Sequence, residues 1–257
     1  MRTFDGESCT VGLKAMDRPT FASRALQFYR RLSTPAVPPG VEVMNPYKSR
    51  RVMGYVADFL DRYFADAAPR VLVFGINPGR FGAGITGITF TDPVALADFC
   101  GVANDLQRKR ELSSIFIYDF IERYGGVRDF YRHFFLTAMC PLGFTRGGLN
   151  LNYYDVPALA RAVEPFIVKS IKAQIALGGR TDHAIVIGKH KNLHFFERLN
   201  ERHGFFDTIE AVEHPRSIMQ YRRRHLERYL EEYETVFRRA VKRRATGRPG
   251  TAIPGKR

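Results

Sequence analysis

The residue types best suited to chemistry lie in a glycine-rich loop, GINPGRFGAGITGITF, which directly follows the apolar run RVLVF. A dinucleotide-binding loop needs G-x-G-x-x-G, but Gly75, Gly79 and Gly82 have a different spacing. Pro78 also removes an N–H that would face a pyrophosphate, and the Gly-Lys-Ser/Thr of a P-loop is missing. The loop is therefore a poor phosphate cradle. The alternative at this point is a long turn whose glycines only relieve backbone strain.

Metal chemistry is not indicated by the cysteines or the histidines. Cys9, Cys100 and Cys140 are far apart and form no C-x-x-C pair. His190 and His194 are spaced i, i+4 but have no Glu between them, so we interpret this pair as a surface coincidence. We predict neither a metal nor a cofactor. The odd number of thiols favours a reducing cytoplasm.

The elements around the loop alternate between strand and helix patterns. Short apolar runs predict strands at 70–76, 133–139, 183–188 and 208–215. Helical periodicity predicts helices at 21–32, 46–65, 93–100, 114–124, 156–177, 189–202 and 217–241. This order predicts an α/β protein, a three-layer α/β/α sandwich with a central, mainly parallel four-stranded sheet. The loops that follow its strands should converge on one crevice.

Length and charge predict one domain that binds a polyanion. We place a single domain at 1–240, with 1–45 as an N-terminal extension packed on it and 241–257 as a disordered basic tail. The net charge is +14, and 8 of these charges follow Phe237. Such a balance favours nucleic acid or an acidic membrane surface. We expect no membrane contact and a cytoplasmic protein, because no apolar run reaches the length of a span and no signal-peptide pattern precedes the domain.

The glycine loop resembles the first motif of the single-strand-selective monofunctional uracil-DNA glycosylases, G-M-N-P-G-P-F-G-M-A-Q-T-G-V-P-F-G. The matching positions are Gly75, Asn77, Pro78, Gly79, Phe81, Gly82, Thr86, Gly87 and Phe90. Further matches are the CPL at 140–142, Asn150, the VxG at 186–188 and the His-Pro at 214–215. The departures are Ile76, Arg80, Thr89 and Thr91 in the first motif, and HPRS in place of HPSPR. The resemblance covers roughly residues 70–240.

The resemblance implies a hydrolase that removes uracil from DNA in base excision repair, as a monomer without metal or cofactor. A flipped base would stack on Phe90, while Asn77 would orient the attacking water. His214 would donate a hydrogen bond to uracil O2, and the N–H groups of Ile76 and Phe90 would add donors. No lysine lies in these motifs to form a Schiff base with the sugar, which predicts a monofunctional enzyme.

Small residues complete the substrate pocket that the resemblance implies. Gly79 would leave room beside C5 of the base, and Gly87 is a further expected substrate contact. Ala138 stands where the family has an asparagine that reads the Watson–Crick edge of uracil. Backbone groups alone could read that edge, with weaker selectivity. We expect retained uracil activity with compensation by another polar side chain, the candidates being Thr137, Asn150 and Asn152.

The stretch HPRSIMQYRRRH occupies the place of the family's DNA-wedging loop. The candidate wedge residues are Arg216, Ile218 and Met219, and the candidate phosphate contacts are Arg222, Arg223 and Arg224. The alternative is a solvated basic helix face. Two other functions stay open: a catalytically silent nucleic-acid-binding protein on the same fold, and a glycosylase for a different lesion. Loss of Asn77 or His214 would favour the silent protein, and both are present.

Overall fold

The computed structural model describes residues 19–242. In chain order the strands are β1 (Glu42–Met44), β2 (Arg70–Gly75), β3 (Phe134–Ala138), β4 (Gly143–Arg146), β5 (Leu149–Leu151), β6 (Gly179–Ile187) and β7 (Ile209–Val212). The helices are α1 (Phe21–Arg30), α2 (Arg50–Tyr63), α3 (Ala83–Thr86), α4 (Pro93–Asp98), α5 (Leu112–Tyr124), α6 (Val127–His133), α7 (Pro157–Ala176), α8 (Lys191–His203), α9 (Pro215–Tyr221) and α10 (Leu226–Lys242).

The central sheet has four parallel strands in the order β3-β2-β6-β7. Every residue of β2 is buried, so both faces of the sheet are covered. Helices α7, α8 and α10 all contact β6. The α/β class and the four-stranded parallel sheet that the sequence predicts are confirmed.

A second, antiparallel sheet in the order β1-β4-β5 was not predicted. Its strands are only three or four residues long, and two of them enclose the turn Gly147–Gly148 with positive φ at both residues. This sheet lies directly against the glycine loop, since a β-carbon built on Gly143 would be 2.5 Å from the Pro78 carbonyl oxygen. The second sheet therefore supports the loop that carries Asn77.

Two predicted helices are each divided by a 3₁₀ turn. The region 46–65 begins as a 3₁₀ turn, and α2 starts afresh where the Ser49 hydroxyl accepts from the Val52 N–H at 3.4 Å. The prediction of one helix over 217–241 was wrong, because α9 ends at Tyr221 and a 3₁₀ turn at 223–225 precedes α10. The preceding strand ends at Val212 rather than at 215, since Pro215 is the first residue of α9.

The described part of the N-terminal region joins the core. Helix α1 is capped by Thr20 and buries Phe21 and Ala25. Arg24 Nε donates to the carbonyl oxygen of Leu177 at 2.7 Å, which ties α1 to the end of α7. Residues 1–18 and 243–257, with Cys9 and nearly all of the expected basic tail, lie outside the described residues.

The first arginines of the C-terminal charge run belong to α10 rather than to a tail. Arg238 forms an ion pair with Glu234 at 2.8 Å, and Arg239 forms one with Glu210 at 2.5 Å. Both charges are thus already compensated within the fold. None of the helices in residues 19–242 is long and apolar enough to cross a membrane.

Candidate active site

A cleft of about 560 Å³ opens where the central strands end. Its walls come from the loops after β2, β3, β6 and β7, which confirms the predicted crevice, and from 150–152 at the edge of the second sheet. Its volume is in the range of small-molecule sites. In residues 19–242, no group of three or more His, Cys, Asp or Glu side chains could hold a metal ion.

Asn77 lies in this cleft with its side-chain amide held by the backbone of the 151–153 segment. Its Nδ2 donates to the Leu151 carbonyl oxygen at 3.2 Å, and its Oδ1 accepts from the Tyr153 N–H at 3.1 Å. A donor contact on one side and an acceptor contact on the other fix which end of the amide is oxygen. The second lone pair of Oδ1 remains available to a water molecule.

His214 lines the same cleft and is the N-cap residue of α9. Its Nδ1 accepts from the Arg216 N–H at 3.2 Å and thereby caps the helix. Burial lowers the pKa of His214 to about 4, and the Arg216 charge lowers it further against the opposing effect of Glu213. The ring is therefore neutral near pH 7, and with Nδ1 acting as acceptor, its proton is on Nε2. That N–H is free to donate to a ligand oxygen.

Phe90 also lines the cleft, with its ring centroid 6.0 Å from that of the His214 ring. It is the one non-glycine residue of the described chain with positive φ, at 57°. A bulky side chain in this region of backbone space is strained. The buried Thr86 holds the turn, because its hydroxyl donates to the Thr91 carbonyl oxygen at 2.7 Å and accepts from the Ile88 N–H at 3.2 Å.

The Phe90 ring needs a glycine at the end of β2. A β-carbon on Gly75 would lie 2.9 Å from two ring carbons of Phe90. We expect Gly75→Ala to displace the ring, lowering the free energy of unfolding by about 1–3 kcal/mol through overpacking. The fall in activity should be larger than the loss of folded protein alone would cause. Gly54→Ala is the matched control, since its β-carbon meets nothing within 4 Å and alanine favours the interior of α2. Thermal unfolding and activity of both variants test this, and unchanged activity in Gly75→Ala would contradict the role of the ring.

Two carboxylates also face the cleft. Glu213 is 6% exposed, accepts from the His214 N–H at 3.1 Å and forms an ion pair with Arg222 at 2.8 Å. Burial raises the pKa of Glu111, and the neighbouring Arg216 charge opposes that rise. The site thus combines a fixed amide, a neutral imidazole, an aromatic face and a carboxyl that resists ionisation.

A family model of the uracil DNA glycosylase superfamily matches residues 62–238, a range that includes the whole central sheet and both sides of the cleft. The chain belongs to the uracil DNA glycosylase superfamily.

Two relatives refine the comparison within the superfamily. The chain is 40% identical to wild-type SMUG2 of Pedobacter heparinus, whose crystal structure superposes with a TM-score of 0.84 over 87% of this chain and 99% of that one. It is also 30% identical over 122 residues to a single-strand selective monofunctional uracil-DNA glycosylase of Rattus norvegicus. That match covers 40% of this chain and 44% of the rat protein, so it spans less than half the length of this curated relative.

Most of the predicted substrate residues line the cleft of this superfamily member, but one does not. Those at the cleft wall are Ile76, Asn77, Gly79, Phe90, Ala138 and His214. The expected substrate contact of Gly87 is corrected, because Gly87 packs against Val52 and Val56 of α2. With φ at +75° it ends α3, and a β-carbon there would lie 2.7 Å from Val56. Its glycine is required for packing and backbone conformation.

Of the three candidates to compensate for Ala138, two line the cleft and one does not. The Thr137 hydroxyl is buried against Gln174 Oε1 and does not face the cleft. Asn150 lines the cleft, but its Oδ1 accepts from the Arg80 N–H at 3.1 Å. Asn152 also lines the cleft. Thr137 is therefore excluded as a reader of the base.

The predicted apolar wedge was wrong. Ile218 and Met219 are 0% and 7% exposed, because this face of α9 packs against α5. Arg222 is not a free phosphate contact either, since its guanidinium is engaged by Glu213 and by the Tyr229 hydroxyl at 3.2 Å. Arg223 and Arg224 are exposed, and Arg216 is exposed at the cleft wall.

The exposed groups at the cleft mouth differ from those predicted. Tyr221, the last residue of α9, lines the cleft and is 75% exposed. Phe81 is exposed nearby on the glycine loop, with the Lys109 ammonium 3.8 Å and the Arg80 guanidinium 4.6 Å from its ring centroid. Aromatic rings flanked by cations are suited to stacking bases and binding phosphates.

Sequence reasoning missed three features of the site. Glu111 lies outside the resemblance motifs. Tyr221 lies within the stretch HPRSIMQYRRRH but was not among its candidate residues, and its position before three arginines is the one signal of a surface role. The backbone contacts from 151–153 to Asn77 carry no side-chain signal at all.

Proposed function

We propose that this protein hydrolyses the N-glycosidic bond of deoxyuridine in DNA, the first step of base excision repair. One observation carries the proposal: Asn77, His214 and Phe90 line one cleft, with the Phe90 and His214 ring centroids 6.0 Å apart. Superfamily membership and the names of the two relatives support the same chemistry. A silent binding protein would have no need for a strained Phe90 or for an imidazole fixed as a donor.

The proposed reaction uses the site without a metal. The flipped uracil stacks on Phe90. A water molecule that donates a hydrogen bond to Asn77 Oδ1 attacks C1′ of the sugar. The C1′–N1 bond breaks and its electron pair leaves with the base, so negative charge develops on the uracil oxygens. The Nε2–H of His214 donates to O2 and stabilises that charge. The proton released by the water passes to the departing uracil anion. No covalent enzyme intermediate forms.

DNA binding is proposed along both sides of the cleft. Arg216, Arg223 and Arg224 are exposed on or just after α9. The exposed Lys109 and the half-buried Arg80 lie against the Phe81 ring of the glycine loop. These cations suit the phosphates that flank an extruded nucleotide. Tyr221 takes the place of the buried Met219 as the group that enters the duplex.

Tyr221→Ala is expected to lower excision from duplex DNA roughly tenfold, the scale of losing one base–aromatic stack. Excision from single-stranded DNA should stay near the wild-type rate, because no base stack has to be opened. Tyr221→Phe should behave like wild type on both substrates, since the ring is retained. Single-turnover rates on matched duplex and single-stranded oligonucleotides measure the difference. Equal losses on the two substrates would show that Tyr221 does not act as a wedge.

A base-release assay tests the proposed function. Oligonucleotides containing uracil, hydroxymethyluracil, xanthine or hypoxanthine are incubated with the protein, and the free base is identified by chromatography. Release of uracil supports the proposal. Release of only a purine base would indicate a glycosylase for another lesion, and binding without release would indicate the silent protein. Action as a monomer and a cytoplasmic location stay predictions.

A further inference from the structure

Glu111 is a carboxyl that the proposed mechanism does not use. It occupies the N-cap position of α5, yet its side chain makes no capping bond. Its backbone N–H donates to Asp92 Oδ2 at 2.8 Å, and its carbonyl oxygen accepts from the Ile115 N–H at 2.9 Å. The side chain is half-buried and turned into the cleft. Among residues 19–242, its carboxyl oxygens form no hydrogen bond and no ion pair.

The glycine loop is shaped around this carboxyl. A β-carbon on Gly79 would lie 3.3 Å from Glu111 Oε1, and one on Gly82 would overlap Oε2. Any larger residue at position 82 would therefore expel the side chain from its place. Two glycines on the loop that carries Asn77 thus admit a carboxyl to the cleft.

A pocket that selects uracil must match O4, which accepts a hydrogen bond, and N3–H, which donates one. Most amides in the cleft already have partners in the protein. Asn77 is held by the 151–153 backbone, and Asn192 is held by the Tyr153 hydroxyl at 2.8 Å and by the Ile187 carbonyl oxygen. Asn150 Oδ1 accepts from the Arg80 N–H. Glu111 has no such engagement.

We propose that Glu111 determines specificity by reading the base edge as a neutral acid, its O–H donating to O4 and its C=O accepting from N3–H. A carboxylic acid offers one donor and one acceptor side by side, as a carboxamide does. The inference rests on the proposed function, because it assigns a role within uracil recognition.

The electrostatic surroundings favour the neutral acid. Burial raises the pKa of Glu111, the Asp92 charge raises it further, and Arg216 of α9 lowers it. A base covering the carboxyl would increase the burial, and a DNA phosphate bound to Arg216 would weaken the opposing charge. The group is neutral below its pKa, so recognition should be lost as pH rises through that pKa.

The test compares the pH dependence of single-turnover uracil excision in wild type, Glu111→Gln, Glu111→Ala and the matched control Glu122→Gln on the exposed face of α5. The wild-type rate should fall on the alkaline side, and Glu122→Gln should follow it. Glu111→Gln should be active without that fall, because an amide keeps its donor at every pH. Glu111→Ala should lose about tenfold to a hundredfold, the scale of one bidentate base contact.

Adding Ala138→Asn to Glu111→Ala should restore part of the rate, because position 138 lines the same cleft. The inference is overturned if Glu111→Gln keeps the alkaline fall of wild type, or if Glu111→Ala excises uracil at the wild-type rate. It is equally overturned if Asn152→Ala shows the loss expected of Glu111→Ala while Glu111→Ala itself does not. Absence of uracil release by wild type would instead overturn the proposed function. Thermal unfolding of each variant separates recognition from folding.

Discussion

Replacing Asn77 with alanine is expected to lower single-turnover uracil excision by at least about a hundredfold. The reason is geometric: the side-chain amide is fixed by Leu151 and Tyr153, so its remaining oxygen lone pair points at one place in the cleft. Alanine removes that acceptor, and the water is no longer oriented toward C1′. DNA binding should be little changed, because Asn77 is not among the cationic residues proposed to bind the phosphates.

The control for Asn77→Ala is Asn104→Ala. Asn104 also donates from its side-chain amide to a backbone carbonyl, that of Pro93 at 3.0 Å, but it lies away from the cleft. Each variant loses side-chain hydrogen bonds worth about 0.5–1.5 kcal/mol apiece, so similar shifts in thermal unfolding are expected. Excision should fall at least about a hundredfold in Asn77→Ala and should stay near the wild-type rate in Asn104→Ala. Near-wild-type excision by folded Asn77→Ala would remove this residue from the mechanism.

His214→Ala should cause a loss of similar size, at least about a hundredfold, since the donor to uracil O2 disappears. It also removes the cap of α9, which costs about 1 kcal/mol of stability. His214→Ser separates the two effects, because a serine hydroxyl caps a helix but cannot reach the base as the imidazole does. The serine variant should fold like wild type and be as inactive as the alanine variant. Activity in His214→Ser comparable to wild type would rule out the imidazole as the donor.

His214 also predicts a pH dependence of stability. Its pKa is lowered from 6.5 to about 4 by burial, so the unfolded chain binds this proton more readily than the folded one. The stabilising contribution is therefore complete above pH 6.5 and is lost as pH falls toward 4. Protonation of Nδ1 would break its hydrogen bond to the Arg216 N–H. Wild type, expected to match His214→Ser in thermal unfolding above pH 6.5, should accordingly become less stable than the serine variant as pH falls over this range.

Sequence patterns predicted the structure correctly where a pattern is compatible with only one local structure. The buried run before Gly75 required a parallel strand, and the loops after such strands share one edge of the sheet, so Asn77 and His214 could be placed together in advance. Gly87 shows the limit of that reasoning. A glycine in a matched motif can be needed for the substrate or for the packing of α2, and only the position of Val56 decides between them.

Helix α9 shows why the wedge prediction failed. The pattern HPRSIMQYRRRH does not reveal where a helix begins, and a shift in that start rotates every side chain about the axis. His214 begins α9 by capping it, and this register turns Met219 inward and leaves Tyr221 exposed. Glu111 was missed for a different reason. Its role depends on the space left by Gly79 and Gly82, which lie far from it in the chain.

The most direct test of the account is to quantify free uracil and abasic sites together, on a single-stranded uracil oligonucleotide in the presence of EDTA. The account predicts one free uracil per abasic site, an intact DNA strand, and loss of both products in Asn77→Ala and His214→Ser. Strand cleavage at the abasic site, dependence on a metal ion, or uracil release by either variant at the wild-type rate would contradict it.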